Sequence, residues 1–325
     1  MGTGELITSR RGFFWIGTER VRHGDDTVPR APMFVAWEEP EHVTAEYPVV
    51  LVHGGGGQGT DWMGTPDGRP GWAGELVRRG HRVYVVDRPG HGRSPHHPDV
   101  LGPMGPPFGY ERLKDLFAPD AAAERHIQWP GSRDLADPLF DQVAAPTGPM
   151  LADLAASQRL DAERLVQLLE QVGPAVLLTH SAGAPGGWLA ADARPELVGA
   201  LLALEPMGPP FLTVPDGPRL LPWGLTAAPP AFDPPVTDPA GIEPGTHRLP
   251  NLAKVPIGVF TGEASAFDGF GGDVVAFLAA AGCRAEHVRL AERGVRGNGH
   301  AVQFERNNRE ALAVLLGWLE EVTDR

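Results

Sequence analysis

Cysteine occurs once in this chain, at Cys283, so no intramolecular disulfide can form and stability has to come from packing, in a compartment that need not be oxidising. Cys283 itself, at the end of an alanine-rich helical stretch, reads as a small buried residue. No apolar window reaches membrane-spanning length, and Met1-Gly2-Thr3-Gly4-Glu5 contains no apolar run after a basic segment. These two absences give the expectation of a cytoplasmic protein without a membrane span. Clustered Lys and Arg are missing as well, and the formal net charge of -13 opposes a nucleic-acid or other polyanionic partner. No internal repeat is present.

What is present suits a globular protein. Hydrophobic residues make up 42% of the chain and charged residues 21%, enough for a substantial core. Segments 13 to 18 and 32 to 38, rich in aromatic and β-branched residues, predict an antiparallel hairpin. Short, continuous apolar runs follow at 49–52, 82–86, 175–178, 199–204, 256–261 and 285–290. They alternate with helical patterns at 72–79, 161–171, after Ser181, at 271–281 and at 308–321. That alternation predicts one α/β domain, spanning 1–325, built on a doubly wound, mostly parallel sheet buried on both faces. Two stretches interrupt it. Residues 100–150 mix Pro and Gly with short helical pieces, and residues 206–250 hold 13 prolines. Both follow the carboxyl end of a predicted strand, where open parallel sheets bind ligands, so they read as cap and pocket-wall insertions. Trp129, Phe211 and Trp223 within them are candidate pocket-lining side chains.

The chemistry concentrates at strand ends. Ser181, in Leu178-Thr179-His180-Ser181-Ala182-Gly183, lies on a tight strand-to-helix turn that would lift its hydroxyl above the sheet, although Thr179 stands where G-x-S-x-G has its first glycine. A serine hydroxyl needs a base within hydrogen-bond reach, and His300, in the loop before the last helix, occurs in the right chain order. His287 falls inside a strand. For the acid, Glu205 at the end of the neighbouring strand is preferred to Asp268, with Glu263 third. His53-Gly54-Gly55-Gly56-Gly57 offers backbone N–H groups for an oxyanion, with Gly55 or Gly56 as first donor and Ala182 as second. The same glycines lack the Gly-Lys-Ser/Thr of a phosphate loop, and His96-His97 with Asp99 lack the further ligands of a zinc site.

These residues resemble the α/β-hydrolase superfamily. The resemblance rests on His53-Gly54, the run Asp87-Arg88-Pro89-Gly90-His91-Gly92-Arg93-Ser94, the serine turn and the late histidine, and covers most of residues 47–322. Many relatives carry Asp at the position of Ser265. Two segments, Thr65-Pro66-Asp67-Gly68-Arg69-Pro70-Gly71-Trp72 and Gly297-Asn298-Gly299-His300 through Asn307-Asn308, are similar to a smaller group of bacterial esterases with a Ser-Glu-His triad. In that group the glutamate follows the sixth strand, which implies Glu205. The resemblance implies a serine-dependent hydrolase of a small or medium uncharged carboxylic ester, without metal or organic cofactor, in a group that often forms homodimers. Lactone, thioester or amide hydrolysis on the same triad is the close rival, and a hydrolase-like ligand-binding protein with little turnover comes from a different class.

Overall fold

The computed structural model describes residues 7–215 and 217–323, so Met1 to Glu5, on which the reading of the N-terminus rests, lie outside the described residues. The chain opens with β1 (Ser9–Ile16), a small ribbon of β2 (Arg20–His23) and β3 (Asp26–Pro29), and β4 (Met33–Pro40). β1 and β4 pair antiparallel along their full length, from Ser9 opposite Pro40 to Ile16 opposite Met33. The predicted hairpin is therefore real, but its two strands are joined by a second two-stranded sheet instead of a simple turn. After β5 (Val49–Val52), α1 (Thr60–Met63), α2 (Trp72–Arg78) and β6 (Val83–Asp87) comes the first insertion, with α3 (Pro98–Leu101), α4 (Tyr110–Phe117) and α5 (Pro138–Ala144). The remainder is α6 (Leu154–Val172), β7 (Ala175–His180), α7 (Ala184–Ala193), β8 (Val198–Leu204), β9 (Ile257–Thr261), α8 (Asp268–Ala280), β10 (Ala285–Arg289) and α9 (Asn308–Thr323).

Eight strands form one sheet in the order β1-β4-β6-β5-β7-β8-β9-β10, with β4 antiparallel to β6 and the strands from β6 to β10 parallel. The apolar runs produce this because side chains alternate across a strand and both faces need cover. Val50, Val52, Leu177 and Leu201 join the core under α6, α7 and α8, whereas Val49, Leu51, Val176, Leu178 and Leu202 join the core under α2 and α9. Each such side chain, fully buried, contributes about 1.5–3 kcal/mol.

α6 begins earlier than its leucine spacing predicts because the Asp153 side chain caps it, accepting from the Ala156 N–H at 2.9 Å. Its buried Asp161 and Arg164 also break the apolar pattern that a sequence reading follows. The proline-rich second insertion contains only a short 3-10 turn at Pro239–Gly241 among the described residues, and it packs Leu225, Ala228, Phe232 and Leu249 into the main core.

Candidate active site

Four neighbouring strand ends set the site. Register places Val52 beside Thr179, His180 beside Leu204, and Leu204 beside Phe260, so the residues that follow β5, β7, β8 and β9 meet along one edge. Ser181 and Glu205 leave their strands at φ +50° and +48°, the left-handed region that side-chain-bearing residues avoid. Two such residues on adjacent strand ends, at about 1–3 kcal/mol each, are held there by the surrounding packing. Gly183 makes the turn after Ser181 possible, since a Cβ there would strike the His53 carbonyl oxygen. Thr179, in the place of the motif's first glycine, is accommodated from the other side: a Cβ on Gly187 of α7 would come within 2.7 Å of the Thr179 methyl. The glycine absent at position 179 is thus supplied by the helix that packs against it.

His300 Nε2 lies 3.0 Å from Ser181 Oγ, and His300 Nδ1 lies 3.4 Å from Glu205 Oε2. Glu205 is fully buried and accepts from the Gly262 N–H and the Ser265 hydroxyl, both at 2.6 Å. Ser265, at the position where many relatives carry Asp, thus donates to the carboxylate at the end of β8. Burial pushes the Glu205 carboxyl up to about 8, against the pull of Ser265 and Gly262, and pushes the His300 imidazole down to about 3, so the resting pair favours a neutral ring. Phe267 packs at 4.2 Å and Phe117 at 5.9 Å between ring centroids against His300 and contribute to that dry environment.

The other carboxylates considered are engaged elsewhere. Asp268 binds Arg289 and accepts from the Thr261 hydroxyl, while Glu263 Oε1 accepts from the Gly297 N–H at 2.8 Å. His287 lies in β10 as expected, beside the Thr261 hydroxyl.

The glycine turn after β5 is fixed from behind. The Arg88 N–H donates to His53 Nε2 at 2.9 Å, so the His53 proton sits on Nδ1 and donates to the Gly54 carbonyl at 2.9 Å. Arg88 Nη2 donates to the same carbonyl at 2.9 Å, while Nη1 pairs with buried Asp161 at 2.9 Å. In a trans peptide the N–H points opposite the carbonyl, so anchoring Gly54 O turns the Gly55 N–H the other way. The Met207 N–H holds the Ser181 carbonyl at 3.1 Å and does the same for the Ala182 N–H. Gly55 and Ala182 both line the cavity at Ser181, and a Cβ on Gly55 would come within 3.3 Å of the Ala182 Cβ. Gly56, the alternative donor, is not among the lining residues, and its carbonyl accepts from the Gly148 N–H. Replacing Arg88 with methionine is expected to lower stability by about 3–5 kcal/mol, because Asp161 is left buried without its partner. Urea unfolding measures this, and adding Asp161→Asn is expected to recover part of the loss.

The histidine loop has its own clamp, which the sequence reading did not find. His180 accepts on Nδ1 from Gln303 and donates from Nε2 to the His300 carbonyl at 3.0 Å. Buried Glu305 accepts from the Asn298 side chain at 2.6 Å, the Gly299 N–H at 2.8 Å and His126 Nε2 at 2.5 Å. Arg69 donates to the carbonyls of Phe304 and Glu305, and the Trp72 indole donates to Asn308 O. The two segments that carry the esterase resemblance, far apart in sequence, are thus one contact.

The cavity above Ser181 holds about 580 Å³. Its walls include Phe108, Leu113, Phe117, Val143 and Met150 from the first insertion and Met207, Leu212 and Leu220 from the second. Residues of both stretches line this cavity, but Trp129, Phe211 and Trp223 do not. Trp129 is buried against Phe140 in a separate small core, Phe211 packs on Phe277, and Trp223 stacks near Phe232. Among the described residues no group of His, Cys, Asp and Glu could hold a metal ion, and no helix is long and apolar enough to cross a membrane.

Comparison with known proteins agrees with this architecture. A probable secreted lipase from Fungal sp. (strain ATCC 74256) is 36% identical over 307 residues, covering 87% of this chain and 84% of the relative. That relative corrects the expectation of a cytoplasmic location, since it is described as secreted, and its fungal source means that the resemblance is not confined to bacterial proteins. A solved bacterial esterase superposes with a TM-score of 0.72 over 99% of both chains at 22% identity, and a ferulic acid esterase with 0.50 over 98% of this chain and all of its own at 11%. The profile of the alpha/beta hydrolase fold matches residues 47–237, and the chain belongs to that family.

Proposed function

We propose that this protein is a serine hydrolase of carboxylic esters, acting as one domain through Ser181, His300 and Glu205. The observation that carries the reading is the 3.0 Å contact between His300 Nε2 and Ser181 Oγ at the floor of a largely apolar cavity. Ser181 Oγ attacks the ester carbonyl while His300 Nε2 takes its proton. The oxyanion is stabilised by the N–H groups of Gly55 and Ala182, and Glu205 stabilises the imidazolium. His300 then protonates the leaving alkoxide, and a water activated by the same ring releases the acid from the acyl-enzyme. Every proton moves between protein, substrate and water, so the cycle needs no metal or organic cofactor. The description of the fungal relative as a secreted lipase supports both an ester substrate and an extracellular site of action. A homodimer enters only through the resemblance, and light scattering on the purified chain reads it directly.

Hydrolysis of p-nitrophenyl esters from acetate to decanoate tests the reading. Turnover with a chain-length optimum supports it, and no hydrolysis of any member contradicts it. The pH profile adds a second test. Protonated Nε2 cannot accept the Ser181 proton, and burial lowers the imidazole pKa, so the acid limb of kcat/KM is expected below the ordinary histidine value of about 6.5. A limb above 7 would contradict the assignment of that limb to His300 and point to Glu205, whose carboxyl burial pushes up to about 8.

A further inference from the structure

The walls of the cavity are mainly apolar, but Asp61 on α1 interrupts them. A Cβ on Gly57 would collide with Asp61 Oδ2, so the carboxyl group lies against the glycine turn. Gly57 is two residues from Gly55, a span of at most about 7 Å, so the carboxyl group stands on the same glycine turn as the Gly55 N–H and on the wall of the same cavity as Ser181. The neighbouring residue, Trp62, is fully buried against Trp72 and anchors the short helix that presents Asp61. The cations near it are committed: Arg88 pairs with Asp161 at 2.9 Å and Arg93 with Asp87 at 2.7 Å. Arg112, the arginine on the wall, lies over the Phe108 ring at 4.2 Å. Burial pushes the Asp61 carboxyl up to about 7, against the pull of the Gln58 N–H, and the charge of Asp87 adds to the rise. Neither Ser181, His300 nor Glu205 uses it, and a burial cost of this kind at a cavity wall is relieved when a ligand brings a donor.

We propose that Asp61 is a specificity-determining residue, which accepts a hydrogen bond from an ammonium or hydroxyl group on a substrate that is otherwise apolar. The inference rests on reading this cavity as the substrate site, but its test reads binding instead of turnover. An apolar wall holds the carbon chain with little discrimination, whereas a fixed acceptor rejects a chain of equal shape that lacks the donor.

Calorimetric titration at pH 8 with hexylammonium, 1-hexanol and methyl pentyl ether separates the cases, because the three have similar size and differ in the terminal group. Wild type is expected to bind at least one donor ligand about tenfold or more tightly than the ether, and Asp61→Leu, which keeps a similar volume but has no acceptor, is expected to remove most of that ratio. A preference for hexylammonium alone assigns the role to charge pairing, and a preference that extends to hexanol assigns it to hydrogen bonding. Equal binding of all three by wild type overturns the proposal without any variant. So does a preference that survives Asp61→Leu in protein with an unchanged thermal midpoint. A chain that hydrolyses no ester yet shows the Asp61-dependent ratio would remove the esterase reading and leave this one standing.

Discussion

Replacing Ser181 with alanine is expected to lower kcat on a p-nitrophenyl ester by about 10⁵-fold, with the fold intact. The hydroxyl makes a single side-chain hydrogen bond, to His300 Nε2, and it faces the cavity. Its removal therefore leaves neither a void in the core nor a buried donor without a partner. The turn is held by other atoms: the Ser181 carbonyl by the Met207 N–H, and the close approach of Gly183 to His53. Alanine must still adopt φ +50°, but that strain is present already in wild type. The thermal midpoint should accordingly move by no more than a few degrees while turnover disappears, and steady-state kinetics beside a melting curve checks both. A large fall in midpoint would show that the serine turn is a structural element first.

Glu205→Gln is expected to lower kcat by about 10³–10⁴-fold, while Asp268→Asn stays within a few-fold of wild type. The amide keeps the shape and the acceptor that Gly262 uses, but it cannot balance the charge of the imidazolium formed when Ser181 attacks. It also sets an amide N–H₂ against both the Ser265 hydroxyl and the His300 ring, which share Oε2 as their acceptor. Asp268 is 16% exposed in its side chain and is paired with Arg289, whereas the His300 ring bonds to Glu205 and Ser181, so the Asp268 amide should cost stability before activity. The same kinetic assay on both variants decides between them. Loss with Asp268→Asn alone would move the acid back to the loop after β9.

Residues next to each other along the chain were the legible part. Each parallel strand was a short apolar run, and the serine turn and the histidine loop announced themselves by local motif and chain order. Glu205 was reached by a gap, because Ser265 stands where many relatives have Asp, and by resemblance. The supports of the site were not legible because their partners are distant in sequence. Arg88 and Asp161 are 73 residues apart, and His126 and Glu305 are 179 apart. No local pattern links them, and a buried arginine looks in sequence like a surface one. The pocket wall was misread for a different reason. Proline-rich stretches have no periodicity from which to tell an inward side chain, so Trp129, Phe211 and Trp223 were chosen for size, whereas the wall is made by Phe108, Leu113, Met150 and Leu212. The segment around Arg69 and Trp72 shows the converse: a motif noticed only for its resemblance has a physical role, which is to clamp the loop that carries His300.

Covalent capture tests the central claim most directly. Wild-type protein treated with a fluorophosphonate and digested is predicted to carry one phosphonyl group, on the peptide containing Ser181, with labelling lost in Ser181→Ala and strongly slowed in Glu205→Gln. Label on another residue of folded wild type, or none at all while His300 and Glu205 are intact, would contradict the account.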